Sequence, residues 1–295
     1  MFFFYRGNDF RPEYLKCAEL RSSFGSTPIL GLSATINSKV LNDIENILQW
    51  VQEEYKLVSA LPDRRNIYLA IDHSHSYEME EKLSWVVSGL GEQQEQFPKT
   101  LIFANTVSAV SEIYEYMRCE LGKRAYWRMD TSTVDNRLIS MFHAQIGEDL
   151  KQFTVDYFKS KHSKLRVLIS TIAFGLGMDI PDITQIIHWG QIKSVLSYWQ
   201  QVGRAGRGGQ KTKAIWYPKS TAGENKELLD KLKHDTSICI RKAILETFVL
   251  RGMDLSILKD MEKRTTCNKN CKLCECSLCL CCSHCRIRCQ CAGQI

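Results

Sequence analysis

Short runs of apolar, β-prone residues alternate along this chain with longer stretches whose apolar residues recur every three or four positions, and that alternation limits the folds open to it. Residues 29–32, 67–71, 100–104, 166–170, 183–188 and 214–217 read as strands, and residues 38–48, 78–88, 107–121, 148–158 and 194–202 as helices. A strand that feeds a long helix cannot return as a tight hairpin, so successive strands are expected to run parallel. Several of the runs are apolar throughout, as strands covered on both faces are. The predicted class is α/β, a parallel sheet with helices on both faces.

The 295 residues are 44% hydrophobic and 24% charged, enough core material for one large or two modest domains. No apolar run reaches the roughly 18 residues of a membrane span. Arg6 interrupts the apolar start too early for a secretory leader, so an intracellular chain with no membrane partner is expected. The net charge of +6 suits a polyanionic partner and plain solubility alike. Pro62 and the polar stretch 219–225 mark boundaries, which divides the chain into 1–62, 63–218 and 219–291. Residues 226–250 are helical in composition. Past Thr265 large apolar residues are too few to build a core without crosslinks or metal.

Ten of the 13 cysteines fall between Cys267 and Cys291, leaving Cys17, Cys119 and Cys239 for the rest of the chain. In a small secreted domain this would be a disulfide framework; without a leader the thiols stay reduced, and metal binding is favoured.

Between Ile169 and Gly209 the sequence sets Arg204 and Arg207 three residues apart among glycines, in the phrase QQVGRAGRGG. Planar guanidinium forks suit phosphate oxygens, and Gly203 and Gly206, lacking Cβ, let backbone approach a ligand closely. An isolated pair of this kind is usually just solvated. Here its neighbours decide: AFGLGMD (173–179) and SYWQQVGRAGRGG (197–209) resemble motifs V and VI of superfamily-two helicases, and of the RecQ family in particular. NDFRPEY (8–14) and Ser33-Ala34-Thr35 resemble the stretch leading to and including motif III. DRRNIYLAI (63–71) resembles the opening strand of the second motor domain, TLIFANT (100–106) motif IV, and FHAQI (142–146) the His-Ala segment that follows it.

The resemblance implies a RecA-like parallel sheet followed by a small helical, cysteine-rich zinc-binding subdomain, with residues 1–62 matching the end of a first RecA-like domain. It implies an ATP-dependent 3′–5′ DNA helicase of nuclear or other intracellular DNA repair and recombination, acting on single-stranded, partly duplex DNA. In that scheme Arg207 is the finger on the ATP phosphates, Arg204 supports it, and Gln200 links nucleotide to DNA. Asp179, Gly177 and Gly203 lie near the nucleotide. Asn105 and Thr171, with Ser33 and Thr35 of motif III, contact or couple to DNA. No G-x-x-x-x-G-K-[ST] loop and no DEAH-type motif occurs, so ATP and Mg²⁺ are expected only in a complete protein. The chain alone is expected to be inactive as an ATPase, and a non-catalytic nucleic-acid- or partner-binding helicase fragment is the alternative.

For zinc, residues 239–248 (CIRKAILETF) resemble the family's first-ligand helix, which makes Cys239 the first ligand. Two clusters compete for the other three, Cys267, Cys271 and Cys274 or Cys279, Cys282 and Cys285, with the second preferred and His284 a further candidate. Four thiolates around a tetrahedral ion leave no open position, so such a site is structural.

Overall fold

Among the described residues six strands form one all-parallel sheet in the order β1-β6-β5-β2-β4-β3. They are β1 (Ile67–Ile71), β2 (Thr100–Ala104), β3 (Ile139–Phe142), β4 (Val167–Thr171), β5 (Gln185–Trp189) and β6 (Thr212–Tyr217). The computed structural model describes residues 19, 27–74, 76–131, 133–171, 180, 182–220, 223–262, 276 and 278–289. The chain divides into two compact units: residues 1–63 with 242–264, and residues 64–241 with 265–295. The sheet belongs to the second unit.

Helices α1 (Ser38–Leu48), α2 (Met79–Gln93), α3 (Val107–Leu121), α4 (Glu148–Lys159) and α5 (Val195–Val202) lie where the apolar periodicity put them. Their starts follow from capping chemistry. The side chains of Asn37, Thr106 and Ser194 accept from the amides of Val40, Ala109 and Ser197 at 2.9, 3.1 and 3.1 Å, satisfying donors that a helix N-terminus leaves open. Among the described residues four further helices follow: α6 (Lys226–His234), α7 (Ile240–Glu246), α8 (Ser256–Glu262) and α9 (Ser283–Arg288). The stretch 226–250, helical in composition, breaks because Asp235 accepts from the amide of Ser237 at 2.8 Å, a local turn that competes with the helix ladder.

In the first unit, α1 carries the buried stripe Val40, Leu41, Ile44 and Leu48. Arg251 pairs with Glu45 at 2.8 Å, and Tyr55 donates to the same carboxylate, tying the two chain segments of this unit together. Residues 29–32, expected as a strand, form none and pair with no strand among the described residues, and Leu30 is 81% exposed. A single apolar run without a ladder partner cannot satisfy its backbone groups as a strand.

In the second unit the sheet is covered on both faces, as its apolar strands require. One face packs Ile102, Ile169, Ile187 and Ile215 against Leu83, Val86 and Leu90 of α2 and Val110, Ile113 and Met117 of α3. On the other, Phe103, His188 and Trp216 stand in register across β2, β5 and β6. The strand β3 escaped sequence reading because it is four residues long and only its first residue is buried.

β1 lies at one end of the sheet, and the cysteine-rich segment covers its outer edge. Leu69 bridges Cys282 in parallel and donates to the Cys281 carbonyl at 3.4 Å, and the Ile71 amide donates to Ser283 Oγ at 3.2 Å. Arg241 of α7 sits behind this seam, 1% exposed, and donates to the carbonyls of Arg64 at 2.9 Å, Ile67, and Cys281 at 3.4 Å. Replacing it leaves buried carbonyls without donors. Arg241→Met is expected to destabilise this unit by about 3 kcal/mol, read as a fall in the urea midpoint; an unchanged midpoint would show that these bonds contribute nothing.

Candidate functional site

The order of the strands reverses around β2: the chain passes from β2 out to β3, back to β4, and then to β5 on the far side of β2. In open parallel sheets the crevice beyond the strand C-termini at such a point is where ligands bind. Asn105 follows β2 there, and Thr171 ends β4 in register with Ala104. A small cleft at the same edge is lined by Asn105, Gln191, Lys193, Ser197 and Gln201, among others. Gly190, at φ +95°, brings β5's exit close: a Cβ there would lie 3.2 Å from the Tyr77 hydroxyl and 3.5 Å from Asn105 Nδ2.

The arginine loop lies at the opposite, N-terminal edge of the strands. Gly206 donates to the Ile183 carbonyl ahead of β5 at 2.9 Å, and Thr212 donates to the Asn66 carbonyl ahead of β1 at 2.9 Å. Helix α5 runs between the two edges, about 12 Å for its eight residues. Gly203 closes it, its amide bonded to the Trp199 carbonyl at 2.8 Å. Arg204 is half-buried and Arg207 exposed.

Arg64 and Asn66 hold this loop, and sequence reading missed both. The Arg64 guanidinium donates to the carbonyls of Ala205 and Gly206 at 3.1 and 2.8 Å; Asn66 Nδ2 donates to those of Gly206 and Gln210 at 2.9 and 3.0 Å. The sequence DRRN just ahead of a strand was the available clue. Burial and then the nearby charge of Arg207 lower the Arg64 pKa, so two guanidinium groups share one patch. That patch suits polyphosphate.

α5 is fixed to β5 by a buried chain of bonds. Gln201 Nε2 donates to Ser197 Oγ at 2.9 Å, which leaves Gln201 Oε1 to accept from His188 Nε2 at 2.8 Å. Burial pushes the His188 pKa down to about 3, so the ring is neutral. Gln200, its neighbour, is half-buried on the same helix. Gly177 and Asp179 fall outside the described residues. Ser33 and Thr35 belong to the first unit, where the Ser33 hydroxyl donates to the Thr35 carbonyl at 2.8 Å and closes a tight turn.

Among the described residues the thiols of Cys239, Cys281, Cys282 and Cys285 lie within 4.8 Å of one another, three of the four buried. This corrects the expected grouping: Cys281 stands where Cys279 was predicted, and Cys279 lies instead with Cys276 and Cys289. The bond from Leu69 to the Cys281 carbonyl orders that residue at the edge of β1. The other candidate cluster, Cys267, Cys271 and Cys274, lies outside the described residues. His284 is in neither group; its Nδ1 pairs with the Ile238 carbonyl at 2.7 Å and its Nε2 with His73 at 2.8 Å. Tetrahedral zinc with thiolates sets sulfurs about 3.8 Å apart, and Cys239 and Cys281 stand at 3.6 Å. Hydrogen bonds from Cys239, then Cys282 and Cys285, pull Cys281 well below the ordinary thiol range, while Cys282 and Cys285, each facing Cys239 first, are pushed up. The thiols compete to ionise, a competition that a dication removes. The group can hold a metal ion.

Comparison with known proteins agrees with this geometry. Residues 81–209 match the family described as helicase conserved C-terminal domain. The matched residues take in β2 to β5 and α3 to α5 of the second unit. The chain is 28% identical over 216 residues to ATP-dependent DNA helicase Q-like 2 of Arabidopsis thaliana, covering 72% of this chain and 28% of that protein. It is 27% identical over 229 residues to ATP-dependent DNA helicase RecQ of Haemophilus influenzae, covering 76% of this chain and 32% of that one. The solved structure of S. cerevisiae Dbp5 bound to RNA and ADP BeF3 has the same fold, with a TM-score of 0.52 at 17% identity over 88% of this chain and 60% of that one. The chain thus carries a helicase C-terminal domain and is similar to RecQ-like DNA helicases over 72% and 76% of its own length, while spanning only 28% and 32% of theirs.

Two outcomes follow from this geometry. Gly206, at φ +62°, has no room for a Cβ, which would lie 2.4 Å from Asn66 Nδ2 and 2.7 Å from Thr212 Oγ1. Gly206→Ala should therefore cost roughly 2 kcal/mol in urea unfolding, and wild-type stability in that variant would contradict the packing. His188 sets a pH dependence. The unfolded ring titrates near 6.5 and the folded ring near 3, so its contribution is complete above pH 6.5. Below that only the unfolded chain takes up the proton, and stability falls by about 1.4 kcal/mol per unit. Unfolding at pH 7 and pH 5 should show a steeper loss for wild type than for His188→Gln; equal slopes would remove His188 from the account.

Proposed function

We propose that this chain supplies one side of an ATP site and one wall of a DNA groove in a RecQ-like 3′–5′ DNA helicase. The observation that carries this is the placement of the arginine loop and of Asn105 with Thr171 at opposite edges of one sheet, joined by α5.

At the N-terminal edge, Arg207 would face the transferred phosphoryl group and Arg204 would steady it. Positive charge preorganised against the equatorial oxygens contributes about three to five powers of ten in rate in phosphoryl transfer. Gly203, Gly177 and Asp179 would line the nucleotide side. At the other edge, Asn105 and Thr171 would contact the DNA backbone, giving binding that depends on salt and little on sequence. Ser33 and Thr35 would couple nucleotide state to DNA contact. Gln200, on the helix between the edges, would move with both. Cys239, Cys281, Cys282 and Cys285 would hold a structural Zn²⁺ with four thiolates and no open position.

A second function, a nucleic-acid-binding module without catalysis, is favoured by one fact: the sequence contains no phosphate-cradling G-x-x-x-x-G-K-[ST] loop. The two agree on the isolated chain, which should bind single-stranded DNA and release no phosphate from ATP. In anisotropy titrations at low salt, Asn105→Ala with Thr171→Ala should weaken DNA binding by about tenfold, at roughly 1.4 kcal/mol. Arg207→Ala should change it less than about threefold, since one peripheral cation adds only a single counterion to the salt dependence. Equal losses in both variants would abolish the division of labour between the edges, and DNA-stimulated phosphate release by the isolated chain would overturn the assignment of the cradle to other sequence.

A further inference from the structure

Beside the four-thiol group stands a second one. The sulfurs of Cys276, Cys279 and Cys289 lie within 4.8 Å of one another, with Cys276 and Cys289 at 3.6 Å. Cys279 and Cys289 are buried, at 8% and 3% exposure. We propose that these three cysteines form a separate metal site that binds Zn²⁺, so that the chain carries two zinc ions rather than one.

The local geometry is that of a metal-binding turn. Cys276 and Cys279 have C-x2-C spacing; the Cys279 amide donates to Cys276 Sγ at 3.3 Å, and the Leu280 amide donates to the Cys276 carbonyl at 3.0 Å. A sulfur separation of 3.6 Å matches the edge of a zinc–thiolate tetrahedron, about 3.8 Å. A disulfide would join two of these thiols and leave the third buried beside it; a metal uses all three.

The two groups interleave along the chain. Cys276 and Cys279 precede Cys281 and Cys282, and Cys285 precedes Cys289. The six-residue helix α9 is therefore held at its start by Cys282 and Cys285 of one group and at its end by Cys289 of the other. A helix that short does not persist in water unaided. Each thiol gives up its proton as it binds, and the three thiolates leave one tetrahedral position to solvent or another donor. The second site should therefore hold zinc less tightly than the first.

The test is zinc stoichiometry by elemental analysis of the full chain, purified reduced from zinc-supplemented cells. About two ions per chain are expected for wild type, and about one for Cys276→Ser with Cys289→Ser. Loss of solubility in that variant would not block the test, because alkylation of the wild-type chain gives an independent readout. Cys276, Cys279 and Cys289 should resist alkylation with zinc bound, and should become reactive at lower chelator concentration than Cys239, Cys281, Cys282 and Cys285. One zinc in wild type, two retained in the double variant, or free alkylation of the three thiols in the zinc-loaded chain would each overturn the proposal.

Discussion

What the edges of the parallel sheet present depends on how α5 is seated. The helix is short, and its register on β5 is set by one buried polar chain running from Ser197 through Gln201 to His188. Apolar packing from Val195, Leu196, Trp199 and Val202 holds the helix down, but packing alone tolerates a small slide. A buried hydrogen bond does not, because a displaced helix would leave an imidazole and an amide without partners in a place water cannot reach. The neutrality of His188 is part of this device: a charged ring there would have to be solvated, and burial forbids it.

A second constraint acts at the N-terminal edge, where Arg64 and Asn66 bind the loop backbone rather than its side chains. The loop conformation is thus fixed by main-chain carbonyls and by the left-handed Gly206, independent of where the Arg204 and Arg207 side chains point.

Much of the fold was legible because burial on both faces writes itself as unbroken apolar runs. The central strand β2 is buried at every position, and its bounds matched the sequence-based expectation residue for residue. The edge strand β3 is buried at one position in four, so its pattern resembled a loop. Residues 29–32 failed in the other direction, since a run such as ILGL has strand character but a strand exists only with a partner. At the N-terminal edge, glycine spacing and resemblance singled out Arg204 and Arg207 in the sequence. Arg64 and Asn66 were not singled out, because what they do is set by β1 lying next to β6, a neighbour more than 140 positions away in sequence.

The cysteines show the same limit more sharply. Spacing in sequence says which thiols can share a turn, and it left Cys267, Cys271 and Cys274 in competition with Cys279, Cys282 and Cys285, the latter preferred on resemblance. It could not say which side of the turn each sulfur faces. The edge of β1 decides that, because Leu69 takes the Cys281 carbonyl and bridges Cys282, which turns the thiols of 281 and 282 toward Cys239 while Cys279 goes with Cys276 and Cys289. A sheet edge with unpaired backbone groups is a liability in water. In this domain the cysteine segment caps it and the edge in turn sorts the thiols, so the stability of the sheet and the grouping of the thiols rest on the same few backbone contacts.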